Sequence, residues 1–196
     1  MSVYQFVPGR DHAGKETVWS WWDDAFNEEQ LKQIISIGDS LVLGKATING
    51  DKQIEELRNC KTGWMNLNPE TQFIYGTLSS VVINHNAQFW GFNLFGFVEP
   101  FQFTVYEPDN NHYTWHIDKG YETPAPRKLS AVMFLTDPDE YEGGDLELQI
   151  GNEPIKLEKK LGRIYLFPSW TLHRVTPVTK GTRKTLVAWV SGPKFV

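Results

Sequence analysis

From about Phe95 onward the chain consists of short β-prone runs, each ended by a turn signal. The runs are Gln102–Tyr106, Tyr113–Ile117, Leu129–Leu135, Asp145–Gln149, Ile155–Lys159, Arg163–Leu166, His173–Val175 and Thr185–Val190. They are separated by Pro108-Asp109-Asn110-Asn111, Asp137-Pro138-Asp139, Gly143-Gly144 and Gly151-Asn152, residue types that favour turn backbones. Eight short strands in that length predict a jelly roll or small barrel.

The stretch before Phe95 reads mainly as helix. Asn27 suits an N-cap, with Glu28 and Glu29 in the first turn, where the helix dipole favours negative charge. Leu31, Ile34, Ile35 and Leu41 give this helix an apolar stripe, and Gly38 and Gly44 put its end near residues 37–44. A second helix is expected from Pro69, with Asn68 as cap and Phe73, Ile74, Thr77, Leu78, Val81 and Val82 on its buried face. Asp51–Arg58 is expected as a short helix. No linker, repeat or low-complexity tract divides the chain. Residues 1–196 therefore read as one α+β domain: helical support over 1–94 and a double-stranded β-helix (jelly roll) core over 95–196.

Composition narrows the function. A chain of 196 residues, 40% hydrophobic and 22% charged, suits one sizeable soluble core. Aromatics at 14%, with eight Trp, suit a sheet-rich core or an aromatic-lined pocket. A net charge of -5 without a Lys/Arg block argues against a nucleic-acid partner. The single Cys60 excludes an internal disulfide and fits a reducing compartment. Met1–Arg10 lacks the basic start and apolar run of a signal peptide, and no segment approaches the roughly 18 apolar residues of a membrane span. A cytoplasmic protein with no membrane partner is expected.

Three residues carry the chemistry. On a strand, positions i and i+2 face the same way, so His116 and Asp118 should present an imidazole and a carboxylate side by side. Trp115 and Ile117 would then take the other face. His173, beyond the strand end Leu166-Phe167-Pro168-Ser169, is expected from a distant strand brought opposite. Two His and one carboxylate on one side of a metal form the facial triad of non-haem Fe(II) sites. Arg183 follows ten positions later; inside a β core an arginine needs an anion, and a dicarboxylate matches its fork. His112 is a rival ligand, more simply an exposed strand end. His12 reads as terminal, and His85 as a helix-end structural histidine.

On these residues the stretch Tyr106–Val190 resembles the Fe(II)/2-oxoglutarate-dependent oxygenases, in particular the prolyl 4-hydroxylase-like branch with its PKHD-type members. The resemblance lies in Tyr106-Glu107-Pro108 through Tyr113-x-x-His116-x-Asp118, in Leu129–Pro138 followed by Tyr141-Glu142-Gly143-Gly144-Asp145-Leu146, and in Pro168 through His173 to Arg183. It implies that His116, Asp118 and His173 bind Fe(II). It implies that Arg183 binds the distal carboxylate of 2-oxoglutarate, with Tyr106 lining that pocket and Trp189 near the metal. O2 is the second cosubstrate, with ascorbate as an auxiliary reductant. Where some prolyl hydroxylases place a 2-oxoglutarate-gripping tyrosine, this chain has Phe134. Val187 replaces a threonine that assists the arginine in some relatives, and Thr185 compensates if it faces inward. The last core strand is expected close to the end of the sequence, which would then lack the further segment associated with PKHD-type members.

The implied activity is hydroxylation of an unactivated C–H bond, because halogenating relatives replace the carboxylate that Asp118 supplies. A prolyl residue in a peptide or protein is the leading substrate; a small molecule or free amino acid is the alternative. A non-catalytic metal-binding jelly roll and a zinc hydrolase are the remaining readings. Arg183 opposes both, since neither needs an anchor for a dicarboxylate. Trp64, Trp90, Trp115, Tyr113 and Trp170 are candidates for a substrate groove, and Lys119–Lys128 and the Gly44–Trp64 region for its cover.

Overall fold

The computed structural model describes residues 17–46, 54–108, 110–119 and 126–194. Fourteen strands and two α-helices are assigned among them. The strands are β1 (Ser20–Trp22), β2 (Gly44–Lys45), β3 (Arg58–Asn59), β4 (Lys61–Met65), β5 (Phe101–Tyr106), β6 (His112–His116) and β7 (Arg127–Phe134). They continue as β8 (Tyr141–Gly143), β9 (Leu146–Gln149), β10 (Ile155–Lys156), β11 (Ile164–Pro168), β12 (Leu172–Val175), β13 (Val178–Gly181) and β14 (Arg183–Ser191). The helices are α1 (Glu28–Ser40) and α2 (Gln72–His85).

Every strand pair is antiparallel. A seven-stranded sheet runs β1-β11-β7-β14-β5-β4-β2, a five-stranded sheet runs β10-β9-β12-β6-β3, and β13 pairs with β8. All eight predicted strands are present, in the antiparallel two-sheet arrangement of a jelly roll.

Period-two alternation divides the large sheet between two cores. Leu129, Ala131 and Met133 of β7, Phe101, Phe103 and Val105 of β5, and Leu186, Ala188 and Val190 of β14 pack with helix residues Ile34, Ile37, Ile74 and Leu78. The alternate residues turn the other way. There Tyr106, Val132, Phe134 and Tyr165 join Leu146, Leu148 and Val175 from the small sheet. Gly38 allows α1 to lie close to the sheet, because a Cβ there would come within 2.3 Å of the Phe103 ring.

The helical expectation for the first half needs correction. Helix α1 begins as predicted: Asn27 accepts from Gln30 N and the Gln30 side chain accepts from Asn27 N, a complete capping box. Helix α2 starts at Gln72 rather than Pro69. Asn68 spends its side-chain oxygen on Glu70 N and Thr71 N, which closes a turn ahead of the helix. Residues 51–53 lie outside the described residues. The rest of the predicted Asp51–Arg58 helix is a turn, with Leu57 N and Arg58 N donating to Ile54 O, and Arg58 then enters β3. Four short strands precede α2 or flank α1 and extend both sheets. In β4, exposed Trp64 alternates with buried Gly63 and Met65, a two-residue period too brief to stand out beside the helical stretches.

Candidate metal centre and its cavity

His116 ends β6, and His173 lies directly beside it in register on β12. His173 therefore comes from the neighbouring strand of the same sheet, not from across the sandwich. Asp118 lies two residues beyond β6. Its backbone N–H and that of Lys119 both donate to Ser169 O at 2.8 Å, which clips this segment to the turn before β12. One ligand atom from each of His116, Asp118 and His173 falls within 4.8 Å of the others. His116 Nε2 is 3.7 Å from Asp118 Oδ1, and His173 Nε2 is 3.6 Å from Asp118 Oδ2.

The imidazoles are set for a metal. His116 Nδ1 faces Thr114 O at 2.7 Å, and His173 Nδ1 faces Thr171 O at 2.9 Å. A carbonyl can only accept, so each Nδ1 carries a proton, and each Nε2 is turned toward the Asp118 carboxylate at the centre. Burial, then the neighbouring His173, pushes the His116 ring down to about 3 despite the pull of Asp118, so it is neutral at pH 7. Burial alone would raise the Asp118 carboxyl. The His173 and His116 rings outweigh it, helped by Trp189 and Ser130, and hold Asp118 at about 2, ionised. Two imidazole nitrogens and one carboxylate, converging from one side, fit Fe(II) as a donor set.

The cluster opens into a cavity of about 1390 Å³ between the sheets. Tyr106, Arg183, Thr185, Val187 and Trp189, the residues singled out on β5 and β14, all line it. Arg183 is 1% exposed, and its Nε and Nη2 have no hydrogen-bond partner. Its guanidinium carbon stands 5.1 Å from the Tyr106 ring centre and 5.2 Å from that of Phe134. A buried cation with open donors beside a metal cluster fits the far carboxylate of a dicarboxylic ligand. Thr185 does face inward, and its hydroxyl pairs with that of Thr104. Val187 likewise faces the cavity.

Of the candidate groove aromatics, Trp64 and Tyr113 line the cavity and Trp90, Trp115 and Trp170 do not. Tyr113 stacks on His116 with ring centres 3.4 Å apart. Trp115 faces away, under Arg174, while Ile117 belongs to the cavity wall rather than to the opposite face. His112 is outside the cluster, its ring nitrogens directed at the carbonyls of Asn110 and Glu56. His85 is buried against Ser20 Oγ at 2.6 Å. Of the Lys119–Lys128 loop, residues 120–125 lie outside the described residues, as does His12.

Sequence reasoning missed Ser130, Ser169 and the Arg127–Glu99 pair. Ser130 Oγ donates to Asp118 Oδ2 at 2.7 Å and meets Ser169 Oγ at 3.0 Å. Its signal was available: it is the polar position within the apolar run Leu129–Phe134. Arg127 grips both carboxylate oxygens of Glu99 and lies 3.7 Å over the Trp189 ring, forming one wall near the cluster. Nothing in the local sequence pairs residues 28 positions apart.

Residues 101–191 match the family model of the 2OG-Fe(II) oxygenase superfamily. A PKHD-type hydroxylase of Prochlorococcus marinus is 42% identical over 80 residues, 41% of this chain and 36% of the relative. A PKHD-type hydroxylase of Sphingopyxis alaskensis is 36% identical over 110 residues, 54% of this chain and 50% of the relative. The matched stretch thus spans between about a third and a half of these relatives. In fold the chain is similar to a prolyl hydroxylase from Trichoplax adhaerens, solved with a hypoxia inducible factor oxygen degradation domain peptide. That match has a TM-score of 0.75 at 16% identity and covers 89% of this chain and 83% of the other. It is also similar to a prolyl-4-hydroxylase of Pseudomonas putida, with a TM-score of 0.71 at 20% identity, covering 90% and 94%. The stretch that matches the 2OG-Fe(II) oxygenase superfamily, just under half of the chain, has the jelly-roll fold and contains the whole His–Asp–His cluster.

Proposed function

We propose that this protein is an Fe(II)- and 2-oxoglutarate-dependent dioxygenase that hydroxylates an unactivated C–H bond of a prolyl residue in a peptide or protein. One observation carries the reading: a three-ligand cluster and a buried arginine with open donors share one cavity. His116, Asp118 and His173 would hold the metal, and Arg183 the distal carboxylate of 2-oxoglutarate. The bound metal, with 2-oxoglutarate and O2, supplies the oxidising chemistry; the protein supplies position and a dry site. Val132, Leu146 and Val187 give part of the cavity wall an apolar lining, and Ser130 holds the Asp118 carboxylate by a hydrogen bond. Trp64, 45% exposed and with its ring centre 6.3 Å from that of Trp189, offers a flat apolar face to an incoming pyrrolidine ring.

The prolyl assignment draws on the names of the PKHD-type relatives and on the structurally similar prolyl hydroxylases. The experiment is incubation with Fe(II), 2-oxoglutarate, O2 and ascorbate over a panel of prolyl peptides, free amino acids and small metabolites. Succinate is quantified and products are weighed for one added oxygen atom. Oxygen on a peptidyl proline is the expected result. Oxygen on a free amino acid or metabolite would replace the substrate class. Absence of succinate across the whole panel would sink the oxygenase reading. His173→Ala should abolish succinate formation, and full turnover in that variant would remove His173 from the site.

A further inference from the structure

Arg183 is not alone in carrying unused buried polarity. The Tyr141 hydroxyl is also buried without a hydrogen-bond partner, on a residue only 4% exposed. The topology puts the two together. Tyr141 opens β8 and pairs with Gly181 of β13, two residues before Arg183. Gly144 lies against both side chains: a Cβ there would come within 2.8 Å of Arg183 Cδ and 3.5 Å of Tyr141 Cε2. The Tyr141 ring is braced from outside by Lys159, whose ammonium stands 4.3 Å from the ring centre and 3.0 Å from Asp145 Oδ1. Phe134 also touches this guanidinium and has no hydroxyl to offer. Burial raises the Tyr141 phenol above its usual range, against the pull of the Arg183 charge, so it remains an O–H donor at neutral pH.

Arg183 Nε, Arg183 Nη2 and the Tyr141 hydroxyl are donors that an anion would satisfy together. We propose that Tyr141 joins Arg183 in holding the distal carboxylate of the cosubstrate, supplying the phenol that Phe134 lacks. The proposal rests on the 2-oxoglutarate reading above. It makes Tyr141 a binding residue drawn from the small β8–β13 sheet, outside the strands that carry the metal cluster.

The test is direct binding, independent of turnover. Calorimetric titration of the Mn(II)-loaded protein with 2-oxoglutarate, and with pyruvate as a 2-oxo acid lacking the distal carboxylate, compares wild type, Tyr141→Phe and the Tyr141→Phe/Phe134→Tyr double variant. Tyr141→Phe should weaken 2-oxoglutarate on the order of tenfold or more, the effect of losing one hydrogen bond to a charged group. Pyruvate binding should not change, and the double variant should recover much of the lost affinity. A Tyr141→Phe affinity within about twofold of wild type on that scale overturns the assignment. Equal losses for 2-oxoglutarate and pyruvate, or no recovery in a double variant that melts like wild type, also overturn it, leaving Tyr141 as packing for Arg183. A wild type that binds Mn(II) but no 2-oxoglutarate sinks the parent reading instead.

Discussion

Ser130 does for Asp118 what the Thr114 and Thr171 carbonyls do for the two histidines: it fixes the orientation of a ligand from outside the cluster. Such outer partners typically change metal affinity by about 10–100-fold when removed. Ser130→Ala should weaken Mn(II) binding by that factor, read by titration, while the melting temperature of the metal-free protein stays close to wild type. Unchanged affinity would show that the bond to Asp118 is incidental. At this scale the sequence was informative about identity and poor about partners. The three residues of the cluster could be picked out because His-x-Asp and the His173 to Arg183 offset are local patterns. Ser169 and Tyr141 act through contacts between strands that no spacing along the chain encodes, and Ser130 is marked only as a polar position in an apolar run.

Elements are held at their junctions by a few close fits. Gly38 is one: a methyl group there would press on the Phe103 ring. Alanine is the better helix former, yet Gly38→Ala should destabilise by about 1–3 kcal/mol, because the overlap with a packed ring outweighs propensity. Urea unfolding checks this, and a stabilised variant would show that α1 can shift away from the sheet. A second junction ties the end of β1 to the start of β11. Arg163 Nε and Nη2 donate to Asp23 Oδ1 and Oδ2 at 2.7 and 2.9 Å. That hydrogen bonding holds the Asp23 carboxyl at about 2, below the 3.8 of a free aspartate. A carboxyl more acidic in the folded state stabilises fully above its unfolded value and loses that contribution as pH falls through the folded one. The pair is partly exposed, so its contribution is about 1–2 kcal/mol. Asp23→Asn should lower the melting temperature at pH 7, and the gap to wild type should close between about pH 4 and 2, the span between those two values. A gap independent of pH would assign the effect to packing. The strand ends were legible because Gly, Pro and Asn mark them. The short strands β1 to β4, β8 and β13 were not, because a run of two to five residues carries too little periodicity to declare itself.

At the scale of the whole molecule, the large sheet separates stability from chemistry. Its helix-facing side carries the larger apolar core, and its other side carries Arg183, Thr185 and Trp189. Leu78, on α2 and 2% exposed, belongs wholly to the first side. Leu78→Ala should cost about 2–5 kcal/mol of stability while leaving the Mn(II) affinity of the folded protein within about twofold. A large loss of affinity would show that the two faces communicate. The jelly-roll class was readable from the strand rhythm alone, since eight short strands leave few ways to bury both faces. That His116 and His173 are neighbours within one sheet was not readable, because strand order depends on pairings across more than fifty residues.

The unsatisfied guanidinium of Arg183 has a thermodynamic consequence. A protein that buries open donors is less stable empty than filled, so any anion that fits must raise its melting point. At a concentration about 100 times its dissociation constant, such a ligand adds about 2.7 kcal/mol. Heat alone therefore ranks candidate acids for this cavity, without iron, oxygen or any knowledge of the substrate.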